Sequence, residues 1–204
     1  PESGFNYTFS NQELSGLGLT LEMAPDVAWG DPATDWVNPF PSHEGAHEPT
    51  GDQTAVIQAA IDTSGAKTVY LPRGSYTIDG TLVVRGDVER IIGAEAQLDG
   101  EGSIVFADGT ASNVIIEGIE GMPELIHDSS RNLILSFVGF STYRNTADGA
   151  GKLYIESATG DQMVITGQTV IAHQLNAKIP GAVSERLNSE AYIINDGGTL
   201  VING

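Results

Sequence analysis

The spacing of hydrophobic and polar positions changes once along this chain, near Gly65. Between Asp52 and Asp62, Val56, Ile57, Ala60 and Ile61 recur at helical spacing and form one apolar stripe. Asp52 stands where its carboxylate can accept from the free N–H groups of a first turn. Asp62-Thr63-Ser64-Gly65 stops the pattern, so a short helix is predicted over about 52–62. Beyond it the pattern is that of short strands: Thr68 to Leu71, Tyr76 to Ile78, Thr81 to Val84 and Arg90 to Ile92. Each run is closed by Gly, Asp or Pro.

A longer repeat overlies these strands. Apolar pairs recur at Ile91-Ile92, Ile115-Ile116, Ile134-Leu135, Tyr154-Ile155, Val170-Ile171 and Ile193-Ile194, at spacings of roughly 16 to 24 residues. That is the length of one rung of a parallel β-helix, in which each coil stacks on the last and buries one continuous core. Asn113, Asn132, Asn176 and Asn195 lie near strand ends, where Asn tolerates a left-handed backbone. The predicted fold is all-β: a single-stranded right-handed parallel β-helix over residues 51–204, with an N-terminal capping helix. An antiparallel sandwich is the competing all-β reading. The leading helix and the repeat argue against it.

Residues 1–50 show no repeat, and Pro25, Pro32, Pro39, Pro41 and Pro49 forbid long regular elements there. They read as an extended strap laid along the outside of the coil, with Trp29, Trp36 and Phe40 as apolar pins. At the other end, Thr199 to Gly204 stops within a strand signal. An uncovered last rung invites pairing, so continuation of the natural chain or self-association at this end is expected. The absence of an initiator Met or leader at Pro1 reads as a processed or excised piece.

The run Asp52 to Asp62 (DQTAVIQAAID), followed by Thr68 to Tyr76 (TVYLPRGSY), resembles the entry motif of the pectate-lyase-like right-handed β-helix superfamily. Exo-1,3-β-glucanases, polygalacturonase relatives and phage tailspikes begin in this way. Asp35-Trp36-Val37-Asn38 sits where those proteins often carry a first strand, although Pro39 to Thr50 departs from their Gly- and Asp-rich linker. Tyr143-Arg144-Asn145-Thr146, His173-Gln174-Leu175-Asn176 and the run from Asn195 to Leu200 resemble a bacterial subgroup of the same superfamily. The resemblance implies the fold and a carbohydrate-active ancestry. It does not choose among lyases, hydrolases, epimerases and non-catalytic adhesins.

Charge narrows the partners. Asp and Glu number 27 against 9 Lys and Arg, a net charge of −18. Phosphate backbones and anionic lipid surfaces are repelled, so nucleic acid is excluded as a partner. There is no apolar run long enough to span a membrane. Without cysteine there is neither a disulfide framework nor thiol chemistry. A polyanionic polysaccharide such as pectate would need Ca²⁺ or a local basic patch to bind here.

Aligning the apolar pairs puts Gly93, Glu117, Ser136, Glu156, Ala172 and Asn195 in one column. Rungs about 4.8 Å apart would separate Glu117 and Glu156 by roughly 9–10 Å. Inverting glycosidases hold their carboxyl groups roughly 6.5–9.5 Å apart, so these two are the candidate catalytic acid and base. Tyr143 could stack on a sugar and Arg144 could pair with a carboxylate; His173 and Asn195 complete the candidate substrate-binding set. Glu120, Glu124, His127 and Asp128, with Arg131, form a second acid–base group, whose plainer reading is a turn salt bridge. His43 and His47 have metal-ligand spacing, but Pro41, Gly45 and Pro49 break the helix that it requires, so no metal site is predicted. No resident cofactor is predicted either, Ca²⁺ being the one cation left open.

The expected function is an extracellular or cell-surface polysaccharide-recognising β-helix of glycosidase or lyase ancestry. If it is an enzyme, metal-independent hydrolysis is favoured over lyase chemistry. The alternative is a non-catalytic structural or adhesion module that self-associates through its last rung.

Overall fold

The computed structural model describes residues 23–42, 49–145, 151–165, 169–172, 175–177, 193–195 and 199–202. They wind into a right-handed parallel β-helix with one short helix at its head. Every pairing between the named strands is parallel. The antiparallel sandwich is thereby ruled out.

The elements are β1 (Trp36–Val37), α1 (Thr54–Ile61), β2 (Thr68–Leu71), β3 (Gly74–Thr77), β4 (Thr81–Gly86), β5 (Arg90–Asp99), β6 (Ser103–Gly109), β7 (Asn113–Gly121), β8 (Glu124–His127), β9 (Asn132–Asn145), β10 (Leu153–Ile165), β11 (Thr169–Ala172), β12 (Leu175–Ala177), β13 (Ile193–Asn195) and β14 (Thr199–Ile202). They stack on three faces. The first runs β1, β2 and the opening residues of β5, β7, β9 and β10, then β11 and β14. The second stacks β3 and the later parts of β5, β7, β9 and β10, with β12. The third stacks β4, β6, β8, the ends of β9 and β10, and β13. β9 and β10 are 14 and 13 residues long because their strand bends round corners instead of breaking.

Strand alternation sends every second side chain inward. On the first face Val69, Ile91, Ile116, Leu135 and Ile155 lie in register and are all buried. On the third face Leu82, Ile104, Leu125, Tyr143 and Met163 do the same. Each fully buried aliphatic side chain contributes about 1.5–3 kcal/mol, and the ladders are continuous from rung to rung.

On the third face no described strand precedes β4, and the helix α1 satisfies its edge. Ile57, Ala60 and Ile61 of α1 are buried, while Val56, the fourth residue of the predicted stripe, is exposed. The Gln58 amide mimics a strand: its Oε1 accepts from Val83 N–H at 2.7 Å and its Nε2 donates to Val83 O at 3.2 Å. The N-cap position belongs to Gln53, one residue later than predicted. Asp52 instead accepts from the N–H and hydroxyl of Thr54 and from Asp79 N–H. Those hydrogen bonds, the Thr54 hydroxyl first, hold its carboxyl below the usual carboxylate range.

A second, smaller cluster lies outside the coil. Ile115, Ile134 and Tyr154 occupy the outward column of the first face, where Ala24 and Val27 cover them. In the same column Arg90 donates to Val27 O at 2.6 Å and lies 3.8 Å over the Trp29 ring. Trp29 stacks on Trp36 at 6.1 Å, and Trp36 meets Tyr70 at 6.0 Å. Phe40 is instead a core residue, stacked on Tyr76 at 4.7 Å.

The apolar pairs at 115, 134 and 154 stack as a repeat should. Ile91-Ile92 is displaced by one residue, since Arg90 pairs with Ile115. Val170-Ile171 is displaced by one as well, with Ile171 opposite Tyr154. Ile193-Ile194 lies on the third face, opposite Met163 and Val164. The predicted asparagine corners are also corrected: Asn113 and Asn132 stand in strands at ordinary φ. Asn132 donates to the Asn113 side chain at 2.9 Å and accepts from Lys152 N–H at 3.0 Å. They are there to hydrogen-bond from rung to rung.

Candidate functional site

The predicted acid pair does not share a column. Ser136 pairs with Glu117, but Ser157 pairs with Ser136. Glu156 is the extra residue of a bulge between Ile155 and Ser157 and is exposed. Ile92 occupies the position assigned to Gly93, Ala172 pairs with Ile155, and Asn195 pairs with Ile165 on the third face. The register recovers at once, with Ala158 opposite Val138, so the bulge turns Glu156 alone out of the column. Glu117 is ion-paired with Arg90, whose side chain is 3% exposed. Val27 and Trp29 hold that same guanidinium.

Tyr143 is 1% exposed and lies inside the coil, so it offers no face to a saccharide. This corrects the stacking role predicted for it. His127 is fully buried beside it and is likewise withdrawn from surface acid–base chemistry. Its Nε2–H donates to Arg131 O at 2.8 Å, and its Nδ1 then accepts from the Tyr143 hydroxyl at 3.2 Å. Burial pushes the His127 pKa down and that of Tyr143 well up. Arg131 is buried too. Its Nε donates to Ala111 O at 2.8 Å and its Nη2 to Val88 O, so it ties corners of successive rungs together. Arg144 lies on the third face and donates to Glu124 at 2.7 Å. His173, His43 and His47 lie outside the described residues.

The depressions with a polar lining are on the second face. A shallow depression of about 330 Å³ is lined by Asp99, Gly100, Glu120, Gly121, Gly139, Ser141 and Asp161 among others. A second, of about 310 Å³, shares Glu120 and Gly139 and adds Phe137, Val138, Ser157 and Ala158. Their walls come from four successive rungs, in β5, β7, β9 and β10. At about 4.8 Å per rung, the groove extends roughly 15 Å along the coil axis. Gly139 lets two rungs approach closely here: a Cβ on it would come within 2.2 Å of Glu120 O. The Asp99 carboxylate is fixed by Ser75 Oγ and Gln97 Nε2, each donating at 2.7 Å.

Phe137 stands at the rim, 75% exposed, with φ at 53°. Sequence reasoning does not single it out. The signal is a break in alternation: Leu135, Val138 and Phe140 are buried, which leaves Phe137 out of step. Among the described residues no group of three or more His, Asp or Glu is placed to hold a metal ion. No described helix is long and apolar enough to cross a membrane.

Beside this geometry stand two relatives by sequence. The chain is 36% identical over 122 residues to the mannuronan C5-epimerases AlgE1 and AlgE3 of Azotobacter vinelandii. Each match covers half of this chain, but only 8% of the first relative and 6% of the second. No protein-family model and no solved structure matches the chain.

Proposed function

We propose that this β-helix is a polysaccharide-recognising module of an extracellular protein, and that the polymer lies along the groove of the second face. The observation that carries the reading is the groove itself. It crosses four rungs, has glycine in its lining, presents the carboxylates of Asp99, Glu120 and Asp161, and has an exposed aromatic ring at its rim. Carboxylates accept from sugar hydroxyls, and an aromatic face suits sugar C–H surfaces. The two relatives, named for mannuronan, favour a uronate polymer and a carbohydrate-active ancestry.

A uronate polymer and this groove are both anionic, and the chain carries −18. Binding therefore needs a bridging counter-ion, for which a divalent cation such as Ca²⁺ is proposed. The saccharide would complete the cation's coordination shell. Hydrolysis through Glu117 and Glu156 draws no support from the geometry, because Arg90 holds one carboxylate and a bulge carries the other out of register.

The test is calorimetric titration of the chain with mannuronan, pectate and a neutral β-glucan, in Ca²⁺ and in chelator. Saturable binding to a uronate polymer, weakened by chelator, is expected. Absence of binding to all three polymers overturns the proposal.

A further inference from the structure

We infer that Phe137 is the saccharide-stacking platform of this groove, held in a left-handed backbone that the fold itself does not need. The inference rests on the groove being a saccharide site.

The corner between the first and second faces recurs on three successive rungs with one residue at positive φ: Glu95 at 55°, Gly118 at 68° and Phe137 at 53°. Between Ile92 and Ala96 the first of these rungs carries three residues, Glu95 the last of them, where the next carries Gly118 alone. Glu117 pairs with Ser136, so the residues just after them, Gly118 and Phe137, coincide. The middle rung shows that glycine makes this corner. Glycine adopts the conformation freely, whereas a bulky residue there is an outlier.

Packing does not compensate at Phe137. The ring is 75% exposed, while its neighbours Leu135, Val138 and Phe140 are buried. An aromatic ring that is both strained and solvated lacks the burial that ordinarily justifies one, and strain of this kind concentrates at ligand sites. The ring borders the depression lined by Glu120, Gly139 and Ser157. A pyranose seated there would set its C–H face on the ring and turn hydroxyls towards Glu120. Gly139 contributes no side chain to obstruct it.

The experiment pairs affinity with stability, using the intact chain, the polymers named above, and Phe137→Gly and Phe137→Trp. Phe137→Gly is expected to raise the melting temperature, because the corner relaxes. It should also weaken uronate binding about tenfold or more. Phe137→Trp should keep the affinity. If the wild-type chain binds and Phe137→Gly binds equally well, the platform is overturned while the groove stands. A lower melting temperature for Phe137→Gly also overturns it, since the ring would then be a packing element. So does a wild-type self-association that Phe137→Gly abolishes with saccharide affinity unchanged, for the ring would then meet a second copy. Failure of the wild-type chain to bind any polymer removes the groove reading itself.

Discussion

The Tyr143 hydroxyl meets Nδ1 of His127 at 3.2 Å inside the coil, between the third-face strands of adjacent rungs. Nε2 of the same ring is taken by Arg131 O, so both ring nitrogens are satisfied without water. Tyr143→Phe keeps the ring in its place in the ladder but leaves Nδ1 without its donor. An unsatisfied buried polar atom costs about 1–3 kcal/mol. Urea unfolding should show that loss with an unchanged m-value, and a neutral result would mean that Nδ1 finds another partner.

The same histidine makes stability depend on pH. Burial lowers its folded pKa below the 6.5 of the exposed group. The unfolded chain therefore binds the proton first, and stability falls as the pH drops below about 6.5. The contribution is complete above that value and is lost as the pH falls towards the folded pKa. Asp35, Asp52, Asp62 and Asp108, all with lowered pKa values, act in a separate window below about 4. Melting temperatures from pH 7.5 to 5 should decline for the wild-type chain and flatten for His127→Gln. Parallel curves would show that the ring does not titrate in this range.

Gly139 supplies a prediction about the groove. A methyl group there would lie 2.2 Å from Glu120 O, a backbone atom that cannot rotate away. Gly139→Ala should force the strands apart and cost about 1–3 kcal/mol, as overpacking does. It also displaces the lining shared by both depressions, so polysaccharide affinity should fall with it. Chemical denaturation and titration on the same sample check the two effects. Unchanged affinity would place the polymer elsewhere.

How much of this was legible beforehand follows from which forces leave a trace in sequence. The inward ladder through Ile116, Leu135 and Ile155 was readable because burial imposes apolar residues at a fixed period. The helix was readable because Ile57, Ala60 and Ile61 must face the coil together. The bulge at Glu156 left no such trace, for one exposed residue looks the same whether paired or extruded. Tyr143 and His127 misled for another reason: a polar side chain in a core is indistinguishable from a surface one until its partner is known. The groove is written in Gly121, Gly139 and Asp99, residues that also mark ordinary turns. Ile115, Ile134 and Tyr154 did carry a legible sign, being apolar on an outward column that something had to cover.

That covered column supports a last prediction, which separates the two glutamates once assigned as a pair. Arg90 is almost wholly buried and is held by Glu117, by Val27 O and by the Trp29 ring. Glu117→Gln leaves the guanidinium without its counter-charge, and breaking such a pair from one side costs about 3 kcal/mol. Glu156 is exposed, and surface substitutions of that kind stay within about 0.5 kcal/mol. Arg90→Ala should also loosen residues 23–30 from Ile115, Ile134 and Tyr154, since one side chain anchors both Val27 and Trp29. Denaturation should therefore rank Glu117→Gln well below Glu156→Gln, with Arg90→Ala binding a hydrophobic dye at the newly bared column. Equal stability for the two glutamate variants would mean that the Arg90 pair contributes nothing.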